Sequence, residues 1–215
     1  MNTQEKFVIT VSRELGSGGH TIGLKLAERL GVRFCDKELL NALTEKFDLN
    51  PSAIERLKGQ KKNWIADFIR QFAPAPSPSA FIASDSIYGK EYDPKVTPDE
   101  IFIAEKEILR GLAEEESCVI TGRSGFFVLN DHPNKFDIFI TASREHRIAR
   151  VMRKQQLDRE LAKEVINKVD TMRENYIQRY AKTSRYDLRN YSLTLNVDTL
   201  TEDQAVDVIL GCIQK

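Results

Sequence analysis

Between an apolar run and an amphipathic stretch the chain reads Arg13-Glu14-Leu15-Gly16-Ser17-Gly18-Gly19-His20-Thr21. Glycines at 16, 18 and 19 let successive main-chain N–H groups approach an anion with no side chain in the way. A helix opening directly after them adds the positive end of its dipole. Thr21 contributes a hydroxyl, and Arg13 stands within reach of the same anion. The chemistry that suits this group is the holding of phosphate.

The phosphate-loop pattern G-x-x-x-x-G-K-[ST] keeps two of its four fixed positions here. With Thr21 as the final hydroxyl, Gly19 is the second glycine, His20 replaces the lysine, and Glu14 replaces the first glycine. The dinucleotide pattern G-x-G-x-x-G fits Gly16 and Gly18 and fails at Thr21, although Asp36 lies where a ribose-binding acid belongs. A plain glycine-rich turn is the third reading. The strand before and the helix after favour a phosphate cradle.

Those elements are legible around the loop. Apolar runs at 7–12, 32–36, 118–122, 136–142 and 192–197 alternate with helical patterns, which predicts a parallel sheet covered by helices. Helices are expected to open at Asn50-Pro51, at Thr97-Pro98 with an end near Glu115, and at the Thr201–Gln204 capping box. Leu161, Val165, Val169, Met172, Tyr176 and Tyr180 mark one apolar face of a long helix. Trp64, Phe68 and Phe72 mark a shorter one. The stretch 73–98 is rich in proline and small polar residues, and reads as a loop or a substrate-side insertion.

Composition limits the function classes. Lysine plus arginine balance aspartate plus glutamate at 32 each, which argues against bulk nucleic-acid binding. No apolar run approaches a membrane span, and "MNTQEKF" lacks a signal core, so a cytoplasmic protein without membrane contact is expected. Cys35, Cys118 and Cys212 have no metal-ligand spacing and read as buried free thiols. Neither His132 and His146 with His20, nor Ser17 and Ser124, form a metal or acyl-transfer constellation.

The block "ITVSRELGSGGHTIGLKLAERLGVRFCDKELL" resembles the opening of the cytidylate kinase-like family, a branch of the nucleoside monophosphate kinases. That branch shows S-R-E-[YF]-G-S-G-G-[RK]-x-[IV]-[GA], then a helix, then D-K-E-[LI]. The later pieces "CVITGRSGFFVL", "FDIFITASREHRIARVM" and "VDTMRENYIQRY" agree in order. The resemblance implies a P-loop α/β fold: a three-layer sandwich with a five-stranded parallel sheet over 1–215. It places a helical acceptor-binding insertion at 37–117 and an arginine-rich lid at 144–160.

It also implies ATP and Mg²⁺, with the γ-phosphate passing to a nucleoside monophosphate such as CMP. Gly16, Ser17, Gly18, Gly19, His20 and Thr21 would wrap the phosphates, with Arg13 and Arg147 beside them and Thr21 on the metal. Asp36 and Arg123 would meet the acceptor. Arg150 and Arg173 would face the transferred group together with His20 and Asp36. Since phosphoryl transfer needs positioning and charge neutralisation above all, such an arginine set suffices in principle. The alternative is a nucleotide-binding protein with little or no turnover, because a histidine stands in the lysine's place.

Overall fold

The computed structural model describes residues 1–36, 98–122 and 124–213. Asn50, the Trp64–Phe72 face, the segment up to residue 97, and Arg123 lie outside the described residues. In chain order the elements are β1 (Val8–Arg13), α1 (Gly19–Leu30), β2 (Arg33–Cys35), α2 (Pro98–Glu115), β3 (Cys118–Thr121) and α3 (Gly125–Val128). There follow β4 (Lys135–Thr141), α4 (Arg144–Gln155), α5 (Arg159–Ala181), β5 (Leu193–Asn196) and α6 (Glu202–Ile213). Among the described residues the five strands form one parallel sheet in the order β2-β3-β1-β4-β5.

Strand alternation sends side chains to two separate cores. On one face Val8, Cys35, Cys118 and Ile120 pack beneath Ala104, Ile108, Leu109 and Leu112 of α2. On the other, Ile9, Val11, Val119, Ile138 and Ile140 meet Ile22 and Leu26 of α1 and Val206, Ile209 and Ile213 of α6. Burial on both faces explains why β1, β3 and β4 read as nearly continuous apolar runs, while the edge strand β5 alternates half-buried with exposed residues.

The helix starts follow their local chemistry. Thr201 Oγ1 accepts from the Gln204 amide at 3.2 Å and Gln204 Oε1 accepts from the Thr201 amide at 2.9 Å, closing the expected box on α6. Ser143 caps α4 and Asp158 caps α5. The segment 144–160 therefore consists of α4, the connection 156–158 and the first turn of α5. This helical pair packs on the glycine loop through Leu15, which is buried with Ile148, Val151, Ala162 and Ile166.

Two expectations need correction. In α5 the buried residues are Ala162, Ile166, Asp170 and Ile177, whereas Leu161 and Met172 are 47% and 57% exposed. The inward face is centred one residue later than apolar periodicity suggested, because it carries a paired carboxylate at its middle. Cys35 and Cys118 are buried, but Cys212 is exposed, lying on the outer side of α6 while Ile209 and Ile213 face inward.

Candidate active site

The loop between β1 and α1 turns on two left-handed residues, Gly16 (φ +84°) and Gly18 (φ +82°), a region costly for any L side chain. Space matters as much as conformation. A Cβ on Gly16 would lie 2.6 Å from the Arg147 carbonyl oxygen, and one on Gly19 would lie 2.5 Å from Arg13 Cβ. Gly18 stands at the N-cap of α1 with no side chain capping the first turn. Its amides are thus left to a ligand or water, and the dipole favours an anion there. The groups present fit a polyphosphate.

Charge is organised around the loop by one carboxylate. Asp170 Oδ1 accepts from the Leu15 amide at 3.0 Å, and Asp170 Oδ2 accepts from Arg147 Nη1 at 2.6 Å. Arg185 and Arg173 approach the same carboxylate at 3.5 and 3.7 Å. Arg147 also meets Glu14 at 3.4 Å, and Glu14 accepts from the Thr141 hydroxyl at 2.5 Å. The Glu14 charge is thereby turned away from the glycines and offset by Arg147. Arg173 and Arg185 both donate to the Arg13 carbonyl oxygen.

Arg150 reaches over the loop from α4. Its Nη2 donates to Glu202 at 2.5 Å and lies 3.4 Å from Thr21 Oγ1, while its Cζ lies 3.2 Å from where a Gly18 Cβ would stand. Beside it a cavity of about 380 Å³ is lined by Ser17, Ile22, Arg150, Val197, Leu200 and Thr201, among others.

His20 points the other way. Its Nε2 lies 3.2 Å from Asp36 Oδ2, and its ring meets Phe34 edge-on at 5.2 Å between centroids. Position 20 therefore faces the end of β2 rather than the loop. Thr121 and Ser124, at the end of β3, keep buried hydroxyl oxygens with no hydrogen-bond partner. Among the described residues no group of three or more His, Cys, Asp or Glu side chains is placed to hold a metal ion. Thr21 could give a metal one oxygen, with phosphate oxygens and water giving the rest, the coordination Mg²⁺ commonly takes beside polyphosphate.

The sequence profile of the cytidylate kinase-like family matches residues 8–199, from β1 through β5. The chain belongs to that family. A search of the curated proteins returned no match. Among solved structures, an uncharacterized protein from Eubacterium ventriosum is similar at 24% identity and TM-score 0.71, covering 98% of this chain and 99% of the other. A shikimate kinase from Bacteroides thetaiotaomicron is similar at 14% identity and TM-score 0.51, covering 97% and 99%. A gluconokinase from Sinorhizobium meliloti is similar at 16% identity and TM-score 0.50, covering 98% and 94%. These likenesses establish the P-loop kinase fold.

Within this cytidylate kinase-like chain, Arg13, Gly16, Ser17, Gly18, Gly19, Thr21, Arg147, Arg150 and Arg173 gather at the carboxyl ends of β1 and β4, while His20 and Asp36 pair beside β2. Asp170, Arg185, Glu202 and Thr141 join them and were missed from sequence. One signal was available for Asp170. It interrupts an otherwise apolar i, i+4 series after Ala162 and Ile166, where a charge is expected only if paired.

Proposed function

We propose that the protein is an ATP-dependent phosphotransferase whose donor phosphates lie in the cradle Gly16–Thr21. The observation that carries this is the loop itself: Gly16 and Gly18 in the left-handed region, no room for a Cβ on Gly16 or Gly19, and an uncapped helix start ringed by arginines. The donor base takes the cavity between Arg150 and Leu200. Arg150 and Arg147, on the 144–160 helical pair, close over the phosphates as a lid. Mg²⁺ at Thr21 would supply charge neutralisation at the transferred group. Asp36, held by His20, orients the acceptor on the β2 side, with Arg123 holding an acceptor phosphate. CMP is the acceptor the family's name suggests. No described helix is long and apolar enough to cross a membrane, and a cytoplasmic, small-molecule enzyme is the corresponding reading.

The test is ADP release from ATP and Mg²⁺ across the nucleoside monophosphates, with CMP expected to give the fastest release. ATP-dependent stabilisation without release on any of them would favour the second reading, a nucleotide-binding protein with little turnover. That reading is supported by a specific feature: the residue in the lysine's place is committed to Asp36.

A further inference from the structure

Three helices converge above the glycine loop. Arg150 reaches across from α4, Glu202 is the first residue of α6, and Thr21 stands in the first turn of α1. Arg150 Nη2 donates to Glu202 Oε1 at 2.5 Å and lies 3.4 Å from Thr21 Oγ1. The guanidinium carbon lies 3.2 Å from where a Gly18 Cβ would stand, so the cation rests over the N-cap of α1.

A lone cation is not favoured there. The start of α1 carries the positive end of the helix dipole, which repels a guanidinium. Holding a long arginine side chain in one conformation also costs rotamer entropy. The Glu202 carboxylate offsets both. The two side chains are 12% and 28% exposed, so their attraction is less screened than that of a surface pair.

Glu202 is in turn well anchored. The capping box of Thr201 and Gln204 closes the turn in which it stands. An acid in the first turn of α6 is favoured by that helix's own dipole. Its second oxygen lies 3.7 Å from Lys25 Nζ of α1, which gives its hydrogen bonds to Asp203 at 2.9 and 3.0 Å. Glu202 engages Nη2 of Arg150, and Nε has no hydrogen-bond partner among the described residues, so the planar fork keeps donors for phosphate oxygens.

We propose that Glu202 is a positioning residue for the donor phosphates: it presents the Arg150 guanidinium to the cradle Gly16–Thr21, so that ligand binding does not have to order it. This rests on the reading of that loop as a phosphate cradle. Glu202 acts through Arg150 and against its own charge, because a carboxylate near a polyphosphate repels it. The role accounts for an acid in the wall of a cavity assigned to an anionic nucleotide.

That opposition of signs makes the test decisive. Calorimetric titrations are run with inorganic tripolyphosphate, which has phosphates and no base, and with ADP and Mg²⁺. Glu202→Gln keeps the shape and removes the charge. Coulomb's law alone predicts tighter binding of both ligands in this variant, whereas positioning predicts binding weaker by about tenfold. Glu202→Asp keeps the charge with a shorter reach and should fall between wild type and Glu202→Gln. Arg150→Ala should weaken both ligands at least as much, and adding Glu202→Gln to it should cost nothing more. Unchanged or tighter tripolyphosphate binding in Glu202→Gln, judged in protein with a wild-type circular dichroism spectrum, would overturn the proposal. So would a loss confined to ADP, which would make Glu202 a wall of the base site, or a loss that adds to that of Arg150→Ala. A wild type that binds neither ligand would end the phosphate-cradle reading as well, whereas each of the other contrary results ends this proposal alone.

Discussion

Gly16 carries the tightest constraint in the loop, since both its φ of +84° and the Arg147 carbonyl 2.6 Å from its Cβ position exclude a side chain. Gly16→Ala should therefore cost about 1–3 kcal/mol of stability, read from urea unfolding, and remove ATP-dependent stabilisation as well. The His20–Asp36 pair sits apart from that cradle, so its loss should separate binding from chemistry. His20→Ala is expected to slow transfer by about 10²-fold or more, with ATP affinity changed by less than about 3-fold. Loss of ATP binding in that variant would return His20 to the phosphates. At this scale the sequence was informative about residue type and silent about direction. Gly16, Gly18 and His20 stood out by their spacing, but nothing in a linear pattern tells whether a histidine faces the loop before it or the strand after it.

Asp170 shows what an element adds to its residues. From the middle of α5 it holds the Leu15 amide and Arg147, and it is buried with them. Removing it strands buried guanidinium groups, so Asp170→Ala should destabilise the fold by about 3–5 kcal/mol, measured by denaturant unfolding. The last helix makes a smaller, local prediction: Thr201→Ala breaks the capping box on α6 and should cost about 1 kcal/mol. The segment before β5 supplies a pH dependence. Burial pushes the Tyr191 phenol up to about 12, and its hydroxyl donates to the Arg185 carbonyl oxygen at 2.7 Å. The folded chain therefore keeps this proton while the unfolded chain releases it near pH 10. The stability it contributes is complete below about pH 10 and is lost as pH rises toward 12. Tyr191→Phe should remove that part of the alkaline fall in thermal midpoint. Helix ends were legible because caps are local chemistry. The inward face of α5 was not, because a carboxylate in register with Ile166 and Ile177 breaks the apolar pattern that reveals a buried face.

Across the whole molecule, strand order assigns the roles. The sheet order β2-β3-β1-β4-β5 leaves the phosphate loop at the end of a central strand. The arginine-bearing α4 and α5 stand on its β4 side and the His20–Asp36 pair on its β2 side. All five strands could be read from apolar runs, which stay legible although Thr10 and Asp137 interrupt β1 and β4 and the edge strand β5 alternates half-buried with exposed residues. The pairing of distant residues could not: Glu14 with Thr141, or Arg150 with Glu202, is decided by register and by which edge each strand meets. The central claim is that this loop holds the phosphates of a nucleotide. Its most direct test is a calorimetric titration with ATP and Mg²⁺, repeated in the presence of inorganic tripolyphosphate. The account predicts one binding event per chain at ATP concentrations below about 1 mM, weakened by tripolyphosphate in competition for the same cradle. No binding at saturating ATP, or binding indifferent to tripolyphosphate, would contradict it and leave Gly16–Thr21 a structural turn.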